Sequence, residues 1–144
     1  SFALYEEYAP HIKANILHMP DETAAHLASL GVKRVGILAT DGTVRTGLFQ
    51  TACQKQGIEA FSPDEAHQKM VMSVIYDQVK AGKPVDMDMF GEICEYMRAN
   101  GAEKIILGCT ELSLVFCGAH PDICVDAMEV LALSCIKSMG KQVR

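Results

Sequence analysis

No apolar run in this 144-residue chain approaches the ~18 residues that a membrane-spanning helix needs. The opening residues carry no signal-peptide pattern. Basic residues are in deficit: 13 Lys and Arg against 18 Asp and Glu give a net charge of −5. The basic residues are also scattered, which argues against a nucleic-acid surface, and neither nucleic acid nor membrane is expected as a partner. Neither G-x-G-x-x-G nor G-x-x-x-x-G-K-[ST] occurs, so no nucleotide loop is present. The five histidines form no H-E-x-x-H, and no two of the six cysteines form C-x-x-C. A zinc site needs closely spaced ligands, so no metal is expected. A disulfide framework suits small secreted chains better than this one, and a reducing cytoplasm is the expectation. Internal repeats, linkers and low-complexity segments are lacking too.

What is there reads as an ordinary globule, 49% hydrophobic and 22% charged. Its length suits one domain that buries roughly two-thirds of its unfolded surface. The chain starts without Met and opens mid-pattern at Ser1-Phe2-Ala3-Leu4-Tyr5, and the expectation is a fragment or a processed product.

The most informative segment is Ile105-Ile106-Leu107-Gly108-Cys109-Thr110-Glu111-Leu112. A continuous apolar run, read as a buried parallel strand, ends in a small residue, a thiol, a hydroxyl and a carboxylate. In open α/β sheets the chemistry lies just past the carboxyl ends of such strands. A short helix starting at Glu111 would lower the Cys109 pKa from about 8.5 toward neutrality through its N-terminal dipole. Cys109 would then be the most reactive thiol at neutral pH, with the other five cysteines packing. The alternative is a free core cysteine at a strand end.

Helix and strand alternate along the rest. A short extended piece over Asn15–His18 precedes a helix from Pro20 to about Leu30, closed by Gly31. Arg34–Ala39 is a buried strand. Thr40-Asp41-Gly42-Thr43 turns into one helix carrying Val44, Leu48, Ala52 and Cys53 and ending near Gly57. Ile58–Phe61 is a strand, and Ser62-Pro63-Asp64-Glu65 a capping box with Pro at the first helical position. Its helix shows Val71, Val74, Ile75 and Val79. Another spans Met87 to Asn100, with Phe90, Ile93 and Met97 on one face. After the Cys109 strand and a short helix come Ile123–Val125 and a last helix from Ala127 to about Met139. On it Met128, Leu131, Cys135 and Met139 share a face. The fold class is therefore α/β, a three-layer parallel sheet with helices on both faces.

Two strand ends carry polar groups, Thr40–Thr43 and Cys109–Glu111. Adjacent parallel strands would bring them to one edge. Backbone N–H groups around Gly42 and Thr43 would form an anion site there, with the hydroxyls of Thr43 and Thr110 holding a carboxylate. Thr43 reads equally well as a helix cap. Lys80 lies at a helix C-terminus, where dipole complementarity is the simplest account of it.

Several segments together resemble the aspartate/glutamate racemase family, most closely its aspartate racemase branch. They are Val35–Thr43, Phe49-Gln50, Pro63-Asp64-Glu65 with Gln68, Ile75-Tyr76, Lys80-Ala81-Gly82, Gly101–Leu112, and Ile123–Ala132. The G-C-T-E segment after a Gly-Ala and an apolar strand is the specific part, and the T-x-G-T turn is moderately so. The resemblance implies a cofactor-independent racemase in which one thiolate removes the α-proton of an amino acid and a thiol on the opposite face returns one. Carried over by position, it makes Cys109 the catalytic cysteine of the second lobe. Thr43 and Thr110, with Gly42 and Glu111, would lie around the substrate, and Lys80 near its side chain.

The same resemblance implies a first lobe that supplies the other cysteine in a C-N-T segment, just before a helix. Phe2–Tyr8 looks like that helix, so the chain begins a few residues after the missing cysteine. The single α/β domain, residues 1–144, then divides into a second racemase lobe over about 15–122, with 1–14 and 123–144 expected to pack on the absent first lobe. Partners implied are a small amino acid, that first lobe, and a second copy of the chain in a homo-oligomer. Hydantoin racemase, maleate isomerase and arylmalonate decarboxylase also place a cysteine here, though Glu111 after Cys109-Thr110 favours the amino-acid branch. A module that binds small molecules without turnover is the remaining alternative.

Overall fold

Along β1 (Arg34–Leu38) and the residue after it, Val35, Ile37 and Ala39 join one apolar cluster while Leu38 joins another. β3 (Lys104–Leu107) divides the same way, with Ile106 on one side and Ile105 and Leu107 on the other. A strand with a period of two that is apolar at every position must be covered on both faces. The computed structural model, which describes residues 7, 9–11, 16–115 and 122–140, shows that arrangement. With β2 (Glu59–Phe61) and β4 (Cys124–Asp126), the two strands form a parallel four-stranded sheet in the order β2-β1-β3-β4.

Helices α1 (Met19–Ser29), α3 (Leu48–Lys55) and α7 (Ala127–Ser138) cover one face. Leu27, Phe49, Ala52 and Val130 meet Val35, Ile37 and Ile106 there. The other face carries α4 (Glu65–Ser73), α5 (Met87–Ala99) and α6 (Thr110–Val115). Val71, Phe90, Ile93, Met97 and Leu112 pack there on Leu38, Ile105 and Leu107. The three-layer α/β arrangement expected from the sequence is the one observed.

The departures have local causes. The helix read from Thr40 to Gly57 is two: α2 (Asp41–Thr46) and α3, separated by Gly47 at φ +66°. A residue without a Cβ takes that left-handed conformation at no steric cost. The start of α4 is capped by Asp64, whose carboxylate accepts the His67 N–H at 2.9 Å, so Pro63 lies outside the helix rather than at its first position. Beyond Ser73 the helix widens into a π-helical segment, Val74–Val79, with the Lys80 N–H donating to the Ile75 carbonyl at 3.0 Å.

Residues 124–126 belong to the sheet, and α7 rests on α1 through one side. On the other side Met128, Cys135 and Met139 are exposed and Leu131 is half-buried. The reading that every cysteine but Cys109 packs inside therefore needs correcting at Cys135, because an edge helix keeps a free side. Cys53, Cys94 and Cys124 are buried. Cys117, His120, Asn15 and the Phe2–Tyr8 helix apart from Glu7 lie outside the described residues.

Candidate active site

The two polar strand ends lie side by side. Leu38 of β1 is in register with Leu107 of β3, and the Gly108 N–H donates to the Leu38 carbonyl at 2.8 Å. Gly108 is required by space. A Cβ there would lie 2.8 Å from Phe49 Cε2 and 3.3 Å from Ala39 Cβ. A side chain at 108 would force Phe49 to shift at the point where the chain delivers Cys109 to the sheet edge.

Cys109 is half-buried. Its Sγ donates to Glu111 Oε2 at 2.6 Å, and the Thr110 hydroxyl donates to the same oxygen at 3.0 Å. The other carboxylate oxygen of Glu111 lies 3.5 Å from Lys80 Nζ. Lys80 in turn sits 4.3 Å above the Tyr76 ring. Four of the expected residues, Cys109, Thr110, Glu111 and Lys80, are thus joined by direct contacts. Lys80 reaches the cluster because the π-helical segment ends beside α6. Helix α6 begins at Thr110, one residue earlier than expected.

The electrostatics of the thiol run opposite to the sequence expectation. Burial and the bond to Glu111 push the Cys109 thiol up to about 11, rather than toward neutrality. An anionic carboxylate at hydrogen-bond distance opposes a thiolate more than a six-residue helix favours one. Glu111 is held down at about 2, first by the Cys109 donor, with Thr110 and Lys80 adding to it. Desolvation pulls Lys80 down, but the Glu111 carboxylate and Tyr76 outweigh it, and the ammonium is raised. Burial and the Glu111 contact both favour the protonated Cys109 thiol, opposite in direction to the activation expected from the helix dipole.

Thr43 and Gly42 sit at the end of β1. The cap of α2 is Thr40, whose Oγ1 accepts the Thr43 N–H at 3.4 Å. The Thr43 hydroxyl lies 3.1 Å from that of Thr40. The capping account of Thr43 thus passes to Thr40.

Two groups escaped the sequence reading as parts of the site. Gln68 donates to the Ala39 carbonyl at 3.0 Å and to Asp41 Oδ1 at 2.9 Å, tying α4 to the end of β1. Tyr76 stands four residues before Lys80, a helical spacing that could have revealed it. An open cleft of about 530 Å³, lined among others by Asp41, Gln68, Met72 and Tyr76, runs along α4 beside the site.

The family model for Asp/Glu/Hydantoin racemases matches residues 1–135. The chain belongs to the Asp/Glu/hydantoin racemase family. Its enzymes are isomerases, and this member is 30% identical over 130 residues to an uncharacterized protein from the pnlA 3′ region of Pectobacterium carotovorum subsp. carotovorum. That match covers 88% of this chain and 87% of the relative. Among solved structures, this racemase-family chain resembles Picrophilus torridus aspartate racemase at 30% identity and a TM-score of 0.75. A candidate Asp/Glu racemase from Yersinia pestis shares its fold, with a TM-score of 0.86 at 23% identity. The alignments take in 99% and 97% of this chain but only 59% and 63% of those two structures, so the chain spans about three fifths of their length. No helix among the described residues is long and apolar enough to cross a membrane.

Proposed function

We propose that this chain is the Cys109-bearing lobe of a cofactor-independent amino-acid racemase acting on aspartate or glutamate, and that alone it is inactive. The observation that carries the reading is the Cys109 thiol at the sheet edge, within hydrogen-bond distance of Glu111, whose carboxylate also meets Lys80. A racemase without a cofactor needs a base on one face of the α-carbon and an acid on the other. A thiol that keeps its proton suits the acid. It returns a proton to the carbanion as a thiolate from the absent first lobe removes one from the opposite face.

Thr110 and Thr43, with the N–H groups near Gly42, are the donors for the α-carboxylate. The Lys80 ammonium is the counter-charge for a side-chain carboxylate, and it favours a dicarboxylic amino acid over a hydantoin. After transfer the Cys109 thiolate faces Glu111, and Lys80 offsets that repulsion. The reducing cytoplasm suits a chain whose chemistry needs a free thiol.

A lone acid–base group forfeits its partner's contribution, about 10²–10⁴ in rate. Half of the enclosing wall is lost too, with the orientation and water exclusion it supplies. The test is α-deuterium incorporation into L- and D-aspartate and glutamate in heavy water. This chain should show no robust exchange. A longer product read from upstream of Ser1 should exchange, and should stop when Cys109→Ala is introduced. Robust exchange by this chain, abolished by Cys109→Ala, would mean that another group completes the site. No exchange by the longer product would leave a binding module.

A further inference from the structure

Helix α6 has six residues, fewer than a helix needs to hold itself in water, so tertiary contacts must set its orientation. Leu112 and Val115 are buried and anchor one side. Apolar contacts along one side are non-directional and leave the roll of so short a helix poorly determined. A directional bond supplies what they lack. Asp126 closes β4, in register with Leu107, two residues before Cys109. It is 8% exposed. Its Oδ1 accepts the Ser113 hydroxyl at 2.8 Å and the Met128 N–H at 2.9 Å. Ser113 lies on α6, and its own N–H faces the Cys109 carbonyl at 3.4 Å, alongside the shorter 3.0 Å bond from Leu112.

We propose that Asp126, acting through Ser113, is the positioning residue of the reactive turn: it sets the roll of α6 and so holds the Glu111 carboxylate on the Cys109 thiol. One aspartate thereby serves two helices. It caps α7 through Met128 and orients α6 through Ser113, and a single strand end locks both to the sheet. The carboxylate is nearly removed from water, so its bonds are strong and the loss of a donor is felt. The inference rests on Cys109 being the reacting thiol of the proposed racemase, but its test needs no substrate and no turnover.

The experiment is alkylation of Cys109 by iodoacetamide in the full chain, read by peptide mass spectrometry as a function of pH. Among the described residues, Glu111 and Lys80 are the titratable groups that act on this thiol. In Ser113→Ala the inflection should move down. Each unit of that movement raises the thiolate fraction at a fixed lower pH about ten-fold. Ser113→Thr, which restores a hydroxyl, should return the profile of the unaltered chain. Asp126→Ser keeps a cap for α7 but is too short to reach Ser113, and should reproduce the Ser113→Ala profile. It keeps the test open if Ser113→Ala does not fold. A folded Ser113→Ala or Asp126→Ser chain with an unchanged inflection would overturn the proposal, whatever it did to stability. Absence of racemase activity in the longer product would overturn the functional reading and leave this one standing.

Discussion

Cys109 Sγ and Glu111 Oε2 lie 2.6 Å apart, thiol donating to carboxylate, two residues apart on one turn. Burial raises the Cys109 thiol, and that contact raises it further while holding Glu111 low. Both effects run against the activation expected from the helix dipole.

Alkylation at pH 7 should label Cys135 before Cys109, and Cys109 before Cys53. Cys135 is exposed on α7, Cys109 is half-buried and raised to about 11, and Cys53 is raised to about 11 and fully buried. Glu111→Gln should bring the Cys109 inflection down, with burial keeping it above the ordinary thiol range near about 8.5. Time-resolved peptide mapping checks both. Faster labelling of Cys109 than of Cys135 in the unaltered chain would contradict the thiol–carboxylate bond.

The same contact predicts how stability depends on pH. Glu111 is depressed to about 2, so its contribution is present above the unfolded carboxylate pKa and is lost as pH falls toward 2. Cys109 is raised to about 11, so its contribution is present below the unfolded thiol pKa and is lost as pH rises through 11. The stability difference between the unaltered chain and Glu111→Gln should therefore be greatest from about pH 5 to 8 and shrink on both sides. Urea denaturation from about pH 2 to about pH 11 measures it, and a difference that stays flat over that whole span would count against the assignment.

Gly108→Ala should destabilise the chain by about 1–3 kcal/mol, the usual cost of overpacking a core. The new methyl meets the Phe49 ring edge at 2.8 Å. Phe49→Leu in the same background should recover part of that loss, because the close contact is with the ring. Additive losses in the double variant would show that the two positions do not compete for space.

The free side of α7 should drive self-association. Met128 and Met139 are 42% and 63% exposed, and Leu131 and Cys135 extend the same face. Sedimentation velocity should show a concentration-dependent shift, abolished by Met128→Lys with Met139→Lys. A monodisperse monomer whose α7 is fully protected from hydrogen exchange would contradict this.

Much of the fold is legible because burial is periodic. Val35, Ile37, Leu38, Ile105, Ile106 and Leu107 announce strands covered on both faces, and the helices between them fix a parallel sheet. The break at Gly47 is hidden from the side-chain pattern. Val44, Leu48 and Ala52 keep helical spacing across it, and only the φ of one residue separates the two helices. The cap at Asp64 is ambiguous in the sequence, because Ser62 and Asp64 are both good caps. The choice between them depends on where the chain leaves β2.

What the sequence determined by itself is local. It set which stretches are strands, which are helices, and that Cys109, Thr110 and Glu111 follow an apolar strand at its carboxyl end. These follow from side-chain period and from the chemistry of neighbouring residues. What only the tertiary structure decided is how groups distant in the chain act on one another. Lys80 meets Glu111 across 31 positions because a π-helical segment ends beside α6. Asp126 holds Ser113 because β4 runs next to β3. The charge state of Cys109 follows from burial and from a carboxylate within hydrogen-bond reach, and both depend on distances in space that residue order does not contain.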